Sequence, residues 1–188
     1  MKQYMKYVKP YAIYFLLAPV LMLVEVVGEV VMPKLLANII NVGIPKADTG
    51  YIVQMGLSMA AMAIIMMIGG VGGSYFSAKA SVSFAAALRK DAFAKVQEFS
   101  FANIDKFSTG SLVTRLTNDI TQLQNIINMG LKMAFRAPGM LVGALIMAIA
   151  MNPSLATVIA VVIPVLVIAL VLVMRVAFPK FNAMQKKL

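Results

Sequence analysis

Apolar positions dominate this sequence, and the polar ones fall in blocks that divide it. Residues 11–43 form a long apolar run interrupted by Glu25, Glu29 and Lys34, and residues 51–78 form a second run with no charge at all. A helix crosses the hydrocarbon core with about 20 apolar residues, so each run predicts a membrane span. Pro19 and Pro33 are the expected bends of the first. Gly43, Ile44 and Pro45 end it in a short outer loop that runs through Gly50. After Lys79 the composition turns polar while the helical period continues. Phe84, Leu88, Ala92, Val96 and Phe99 recur at spacings of four and three, and Arg89, Lys90, Asp91, Lys95 and Glu98 occupy the remaining positions. A single helix over 51–99 would be ~70 Å long. The hydrocarbon core is only about 30 Å thick, so much of that helix projects into the cytoplasm. Within it Asp91 and Lys95 have the acid-first spacing that favours an i,i+4 pair.

Residues 100–119 are the most polar twenty in the chain. Asn103 suits a helix N-cap, and Gly110 suits the left-handed position that ends a helix. Between them Ile104, Asp105, Lys106, Phe107, Ser108 and Thr109 make fewer than two turns. So short a helix does not persist alone in water, because nucleation costs more than one turn returns. It needs a surface to dock on. Ser111 is the next expected cap. Leu112, Leu116, Ile120, Leu123 and Ile127 then form an apolar stripe opposed by Arg115, Asn118, Asp119, Gln122 and Asn125. Arg115 and Asp119 have pairing distance at i,i+4, in the weaker base-first order. Lys132 and Arg136 mark the approach to a third span, formed by 138–151 together with part of the preceding turns. Asn152, Pro153 and Ser154 make the outer turn, with Ser154 as the cap, and 155–174 is a fourth span kinked at Pro164. The expected segments are therefore 1–10, 11–43, 51–99, 100–110, 111–151 and 154–188. The fold class is an all-α integral membrane protein whose four long transmembrane helices extend into the cytoplasm.

Composition agrees with that class. Of 188 residues 61% are hydrophobic, and the mean hydropathy is +0.88, too apolar for an ordinary soluble domain. The net charge of +10 would suit nucleic acid in a soluble protein. Of the 17 Lys and Arg residues, however, only Lys34 and Lys46 lie near the outer junctions. That bias places both termini in the cytoplasm and makes this a multi-pass cell-membrane protein with no nucleic-acid partner. Lys2, Lys6 and Lys9, interleaved with Tyr4 and Tyr7, suit an interfacial segment over 1–10. The absence of Cys and His excludes disulfides, thiolate metal sites and histidine acid–base catalysis.

Two features carry candidate chemistry. Glu25 and Glu29 share one helical face at membrane depth, where a carboxylate is costly. They either line a polar path that attracts cationic solutes or pair with Lys or Arg on a neighbouring helix. Gly69 and Gly73 have the GxxxG spacing of close helix approach. The surrounding GGVGGS is no nucleotide loop, since no Lys-Ser/Thr comes after it. The 16 methionines offer either an adaptable apolar lining or plain packing.

The run FANIDKFSTGSLVTRLTNDITQLQN resembles the first intracellular loop of ABC exporters of the multidrug type. Phe107, Thr109, Gly110, Leu112, Arg115, Leu116 and Asp119 stand at that family's recurrent positions. MPKLLANIINVGI is similar to the end of its first membrane helix, and PKFNAMQKKL to the continuation of its fourth. The resemblance implies that Ile104 to Gly110 form a coupling helix resting in a groove of an ATPase domain, with Asp105, Lys106 and Phe107 as contacts. It implies six membrane helices and a nucleotide-binding domain in the complete subunit, of which this sequence is the part up to the fourth helix. No G-x-x-x-x-G-K-[ST] occurs. ATP and magnesium would therefore be bound by the associated nucleotide-binding domain, and this chain holds no cofactor or metal. The implied partners are membrane lipid, that domain, a second transporter half (identical or different) and a small amphipathic substrate. The competing reading is a stand-alone four-helix secondary carrier, or a structural membrane protein, built on Glu25 and Glu29.

Overall fold

The computed structural model describes residues 4–99 and 109–185, and every long element in them is a helix. A short helix α1 (Met5–Val8) and a 3-10 turn (Lys9–Tyr11) lead into α2 (Ala12–Asn38), which ends in a π-helical turn (Ile39–Gly43). Pro19 and Pro33 both lie inside α2. The loop carries Ala47 at φ 51°, and Asp48 caps the next helix by accepting from the Tyr51 amide at 2.9 Å. That helix, α3 (Thr49–Gln97), has 49 residues and is therefore ~73 Å long. After it come α4 (Thr109–Thr114), a π-helical turn (Arg115–Asp119), α5 (Ile120–Met151) and α6 (Pro153–Gln185). Among the described residues four helices are long and apolar enough to cross a membrane, and the fold is that of a multi-pass membrane protein.

Contacts divide the chain into two compact units, Met1–Gly143 and Ala144–Leu188. The core of the first is the antiparallel pair of α2 and α3. On α3 the buried positions are Gly69, Gly73, Ser77, Ala80, Ser81, Phe84 and Ala85, a stripe of mostly small residues at spacings of three and four. On α2 the facing positions are Ala18, Met22 and Val26. The predicted GxxxG pair lies where the two backbones approach. A Cβ on Gly69 would come within 2.8 Å of the Leu21 carbonyl oxygen and 2.9 Å of the Glu25 nitrogen. Neither atom can move without the whole helix moving. Gly69→Ala is therefore expected to destabilise the unit by about 1–3 kcal/mol. A Cβ on Gly56 meets nothing within 4 Å, so Gly56→Ala should be neutral or slightly stabilising. Thermal unfolding of both variants in detergent checks the contrast, and equal melting temperatures would contradict the packing argument.

The N-terminal segment is tied to α3. Lys6 Nζ donates to Asp91 Oδ2 at 2.6 Å, Tyr7 Oη donates to the same oxygen at 3.0 Å, and the Tyr7 ring meets Phe84 edge-on. Asp91 thus pairs with Lys6, and Lys95 pairs instead with Glu98 at 2.6 Å. The expected Asp91–Lys95 pair is replaced because an ammonium and a phenol from another element reach the carboxylate together. Their hydrogen bonds hold the Asp91 carboxyl below its ordinary range, and the Asp91 bond pushes Lys6 up to about 12. One level along, Lys79 Nζ lies 4.8 Å from the Tyr14 ring centre and 5.7 Å from that of Tyr75. Aromatic rings beside a lysine suit a membrane boundary.

Four further expectations shift. Gly110 lies inside α4, and no described glycine has positive φ; with helix on both sides of it, the left-handed ending is not used there. Thr109 and Gly110 are already helical, ahead of the expected Ser111 cap. Along the next stripe Ile120 is buried and Ile127 half-buried, but Leu123 is exposed and Gln124 takes the inward position. Leu123 and Gln124 lie three and four residues beyond Ile120, so either can fill the stripe between Ile120 and Ile127, and Gln124 does. In the second unit α6 starts at Pro153, not after a Ser154 cap; a proline at the first helical position lacks an amide that would be unpaired anyway. The Ala156 amide donates back to the Asn152 carbonyl at 3.1 Å. The large apolar residues of 158–174, Ile163 apart, are exposed, as a lipid-facing surface requires.

Candidate functional site

Two places gather the residues singled out by sequence. The first is the tip between α3 and α4. Ile104, Asp105, Lys106, Phe107 and Ser108 lie outside the described residues. Thr109 and Gly110 begin α4, and Arg115 and Asp119 are the exposed ends of the π turn. The helices that flank the tip are joined by side chains. Ser77 is fully buried, and its Oγ lies 2.7 Å from Asn128 Oδ1 and 2.9 Å from the Asn128 carbonyl. Further along, Arg89 Nη2 donates to Thr121 Oγ1 at 3.0 Å. As the residue number rises on α3 it falls on α5, so the two helices run antiparallel as one hairpin that leads to residues 100–108.

The second place is the middle of α2. Glu25 and Glu29 do share a face, and a single cation meets both. Arg136 Nη1 lies 2.8 Å from Glu25 Oε1, and Arg136 Nη2 pairs with Glu29 Oε1. Of the two readings of these carboxylates, the geometry is that of pairing across helices. Sequence position puts Arg136 at the membrane approach. Instead it lies level with Glu25, which is about 20 Å along α2 from Ala12. Two carboxylates this deep demand a cation, and the long guanidinium fork can meet both at once. The remaining oxygens, Glu25 Oε2 and Glu29 Oε2, are buried without a hydrogen-bond partner. Gly70 is what lets the Glu25 carboxylate lie so close to α3, since a Cβ there would come within 3.0 Å of it. Arg136 is the residue that sequence reading misses. Its signal is two unpartnered carboxylates on α2 and one Arg just before Pro138 in an otherwise apolar stretch.

Beside this triad opens a cleft of ≈ 730 Å³, lined by Met22 and Glu25 of α2, by Ala63, Met66, Met67, Gly70, Val71 and Ser74 of α3, and by Lys132 and Arg136 of α5. That volume is in the range of small-molecule sites. Its lining combines apolar residues, three of them methionine, with charged ones, so it can receive an amphipathic molecule. No group of three or more metal-ligating side chains occurs among the described residues.

Comparison with known proteins agrees with these features. Residues 15–188 match the family model of the ABC transporter transmembrane region. An uncharacterized ABC transporter ATP-binding protein of Bacillus subtilis, YfiB, is 38% identical over 143 residues, which are 76% of this chain and 25% of that protein. An uncharacterized ABC transporter ATP-binding protein of Mycobacterium tuberculosis is 28% identical over 73% of this chain and 24% of its own length. The ATP-dependent lipid A-core flippase of Photorhabdus laumondii is 25% identical over 72% of this chain and 23% of its own length. The chain thus spans about a quarter of the length of these relatives.

Proposed function

Because the chain belongs to the family of ABC transporter transmembrane regions, we propose that it is the membrane-spanning front part of an ATP-driven exporter of amphipathic solutes. Drugs and lipids are the classes we have in mind. The observation that carries this reading is the α3–α5 hairpin. Its helices are far longer than a bilayer requires, they are pinned at Ser77–Asn128 and Arg89–Thr121, and they lead to residues 100–108. Such a paired arm transmits displacement at its tip to the helices that carry the cleft.

In this reading residues 104–110 rest in a groove of an ATP-binding domain, and closure of that domain drives alternating access. ATP and magnesium are held there, outside these 188 residues. The relatives named as ATP-binding proteins support that partner, and the flippase supports lipid among the solutes. The distribution of Lys and Arg supports cytoplasmic termini. A second half, identical or different, completes the path.

The test is transport by the full-length subunit in inverted membrane vesicles. ATP should drive several-fold accumulation of a fluorescent amphiphile, and a non-hydrolysable analogue should not. Flux driven by an ion gradient without ATP, and lost in the Glu25→Gln/Glu29→Gln variant, would replace this reading with that of a secondary carrier.

A further inference from the structure

The carboxylates of the triad suggest a site for cations, but Glu25, the one that lines the cleft, has one oxygen on Arg136 and the other buried. Glu25 Oε1 and Glu29 Oε1 are held by Arg136, and both Oε2 atoms are buried. The groups of the cleft that keep unspent charge-bearing donors are basic. The Arg136 side chain is 36% exposed. Lys132 lies one turn before it on the same face of α5, lines the cleft and is half-buried. Among the described residues Lys132 has no ion-pair or hydrogen-bond partner. An ammonium held against an apolar wall without a counter-ion is a place where an anion is favoured.

We propose that this cleft binds an anionic amphiphile, with a phosphate or carboxylate head on Lys132 and the outer edge of Arg136 and a hydrocarbon tail over Met22, Met66 and Met67. Charge complementarity chooses the head group. Arg136 keeps N–H donors beyond the two spent on the carboxylates, and Lys132 brings three. Ser74 adds a hydroxyl beside them. The floor chooses the tail, because unbranched methionines repack around chains of differing shape. The two glutamates then have a positioning role: they fix Arg136 at this depth and direct its free edge toward the cleft. The inference rests on the transport reading only for what the ligand is used for, since binding itself needs no ATP.

The test is native mass spectrometry of the full-length protein in detergent, titrated with dodecyl phosphate, with dodecyltrimethylammonium and with inorganic phosphate. Dodecyl phosphate should be retained, while the ammonium of the same tail and phosphate without a tail should not. Lys132→Gln should weaken dodecyl phosphate binding about tenfold, and Lys132→Arg should keep it. Lys132 packs no core, so the melting temperature of Lys132→Gln should stay unchanged and isolate the binding effect. Equal or stronger retention of the ammonium, retention of phosphate as strong as that of dodecyl phosphate, or unchanged binding in Lys132→Gln would each overturn the proposal. These outcomes need no transport, so failure here differs from failure of ATP-driven accumulation.

Discussion

Arg136→Ala is expected to lower the stability of the first unit by about 3 kcal/mol, the lower end of what removing one partner from a buried ion pair costs. The magnitude comes from what is left behind. Glu25 and Glu29 are one turn apart with side chains 18% and 23% exposed, and without the guanidinium two like charges would face each other at membrane depth. Each already has one buried oxygen with no partner. Stranding both carboxylates without their cation is what costs the stability. The measurement is thermal unfolding of the full-length protein in detergent. The decisive control is the triple variant Arg136→Ala/Glu25→Gln/Glu29→Gln, which removes the stranded charges and should recover most of the lost melting temperature. If the single variant melts like the wild type, the triad does not hold the helices together. If the triple variant melts as low as the single one, the loss is of packing and not of charge compensation.

The same triad shows where sequence reading succeeds and where it stops. The long helices are legible because apolar runs and a continuing stripe at Phe84, Leu88 and Ala92 are properties of consecutive residues. Gly69 and Gly73 are legible for a related reason, since the spacing itself states that something approaches closely. That the approaching helix is α2, at Leu21 and Glu25, is a tertiary fact that no local pattern contains. Glu25 and Glu29 announce a need for a cation but not its source, because 107 residues separate Glu29 from Arg136. Lys6 and Asp91, 85 residues apart, defeat the local Asp91–Lys95 reading for the same reason. Leu123 and Gln124 both lie within one turn of Ile120, so periodicity alone does not choose which of them turns inward. By sequence position Lys132 is a boundary marker, and only the cleft gives its charge something to face.

Phe107→Ala is expected to separate ATP hydrolysis from transport in the full-length assembly. The reasoning begins with helix length: residues 104–109 are too few to hold a helix in water, so on the proposed reading they are ordered by the surface they dock on. Phe107 is the one aromatic among them, and truncation of an aromatic anchor at an interface costs about 2 kcal/mol or more. A loss of that size weakens the contact about thirtyfold. The ATP-binding domain would then still close on nucleotide, but its closure would no longer move the α3–α5 hairpin. Basal hydrolysis should therefore stay close to wild type while ATP-driven accumulation in inverted vesicles falls at least about tenfold. Phe107→Leu, which keeps an apolar anchor of reduced size, should retain an intermediate rate. Thermal unfolding in detergent is the control and should be unchanged. Transport and hydrolysis both at wild-type rates in Phe107→Ala would mean that this tip is not where force enters the membrane helices. The long paired arms of α3 and α5 would then need another explanation.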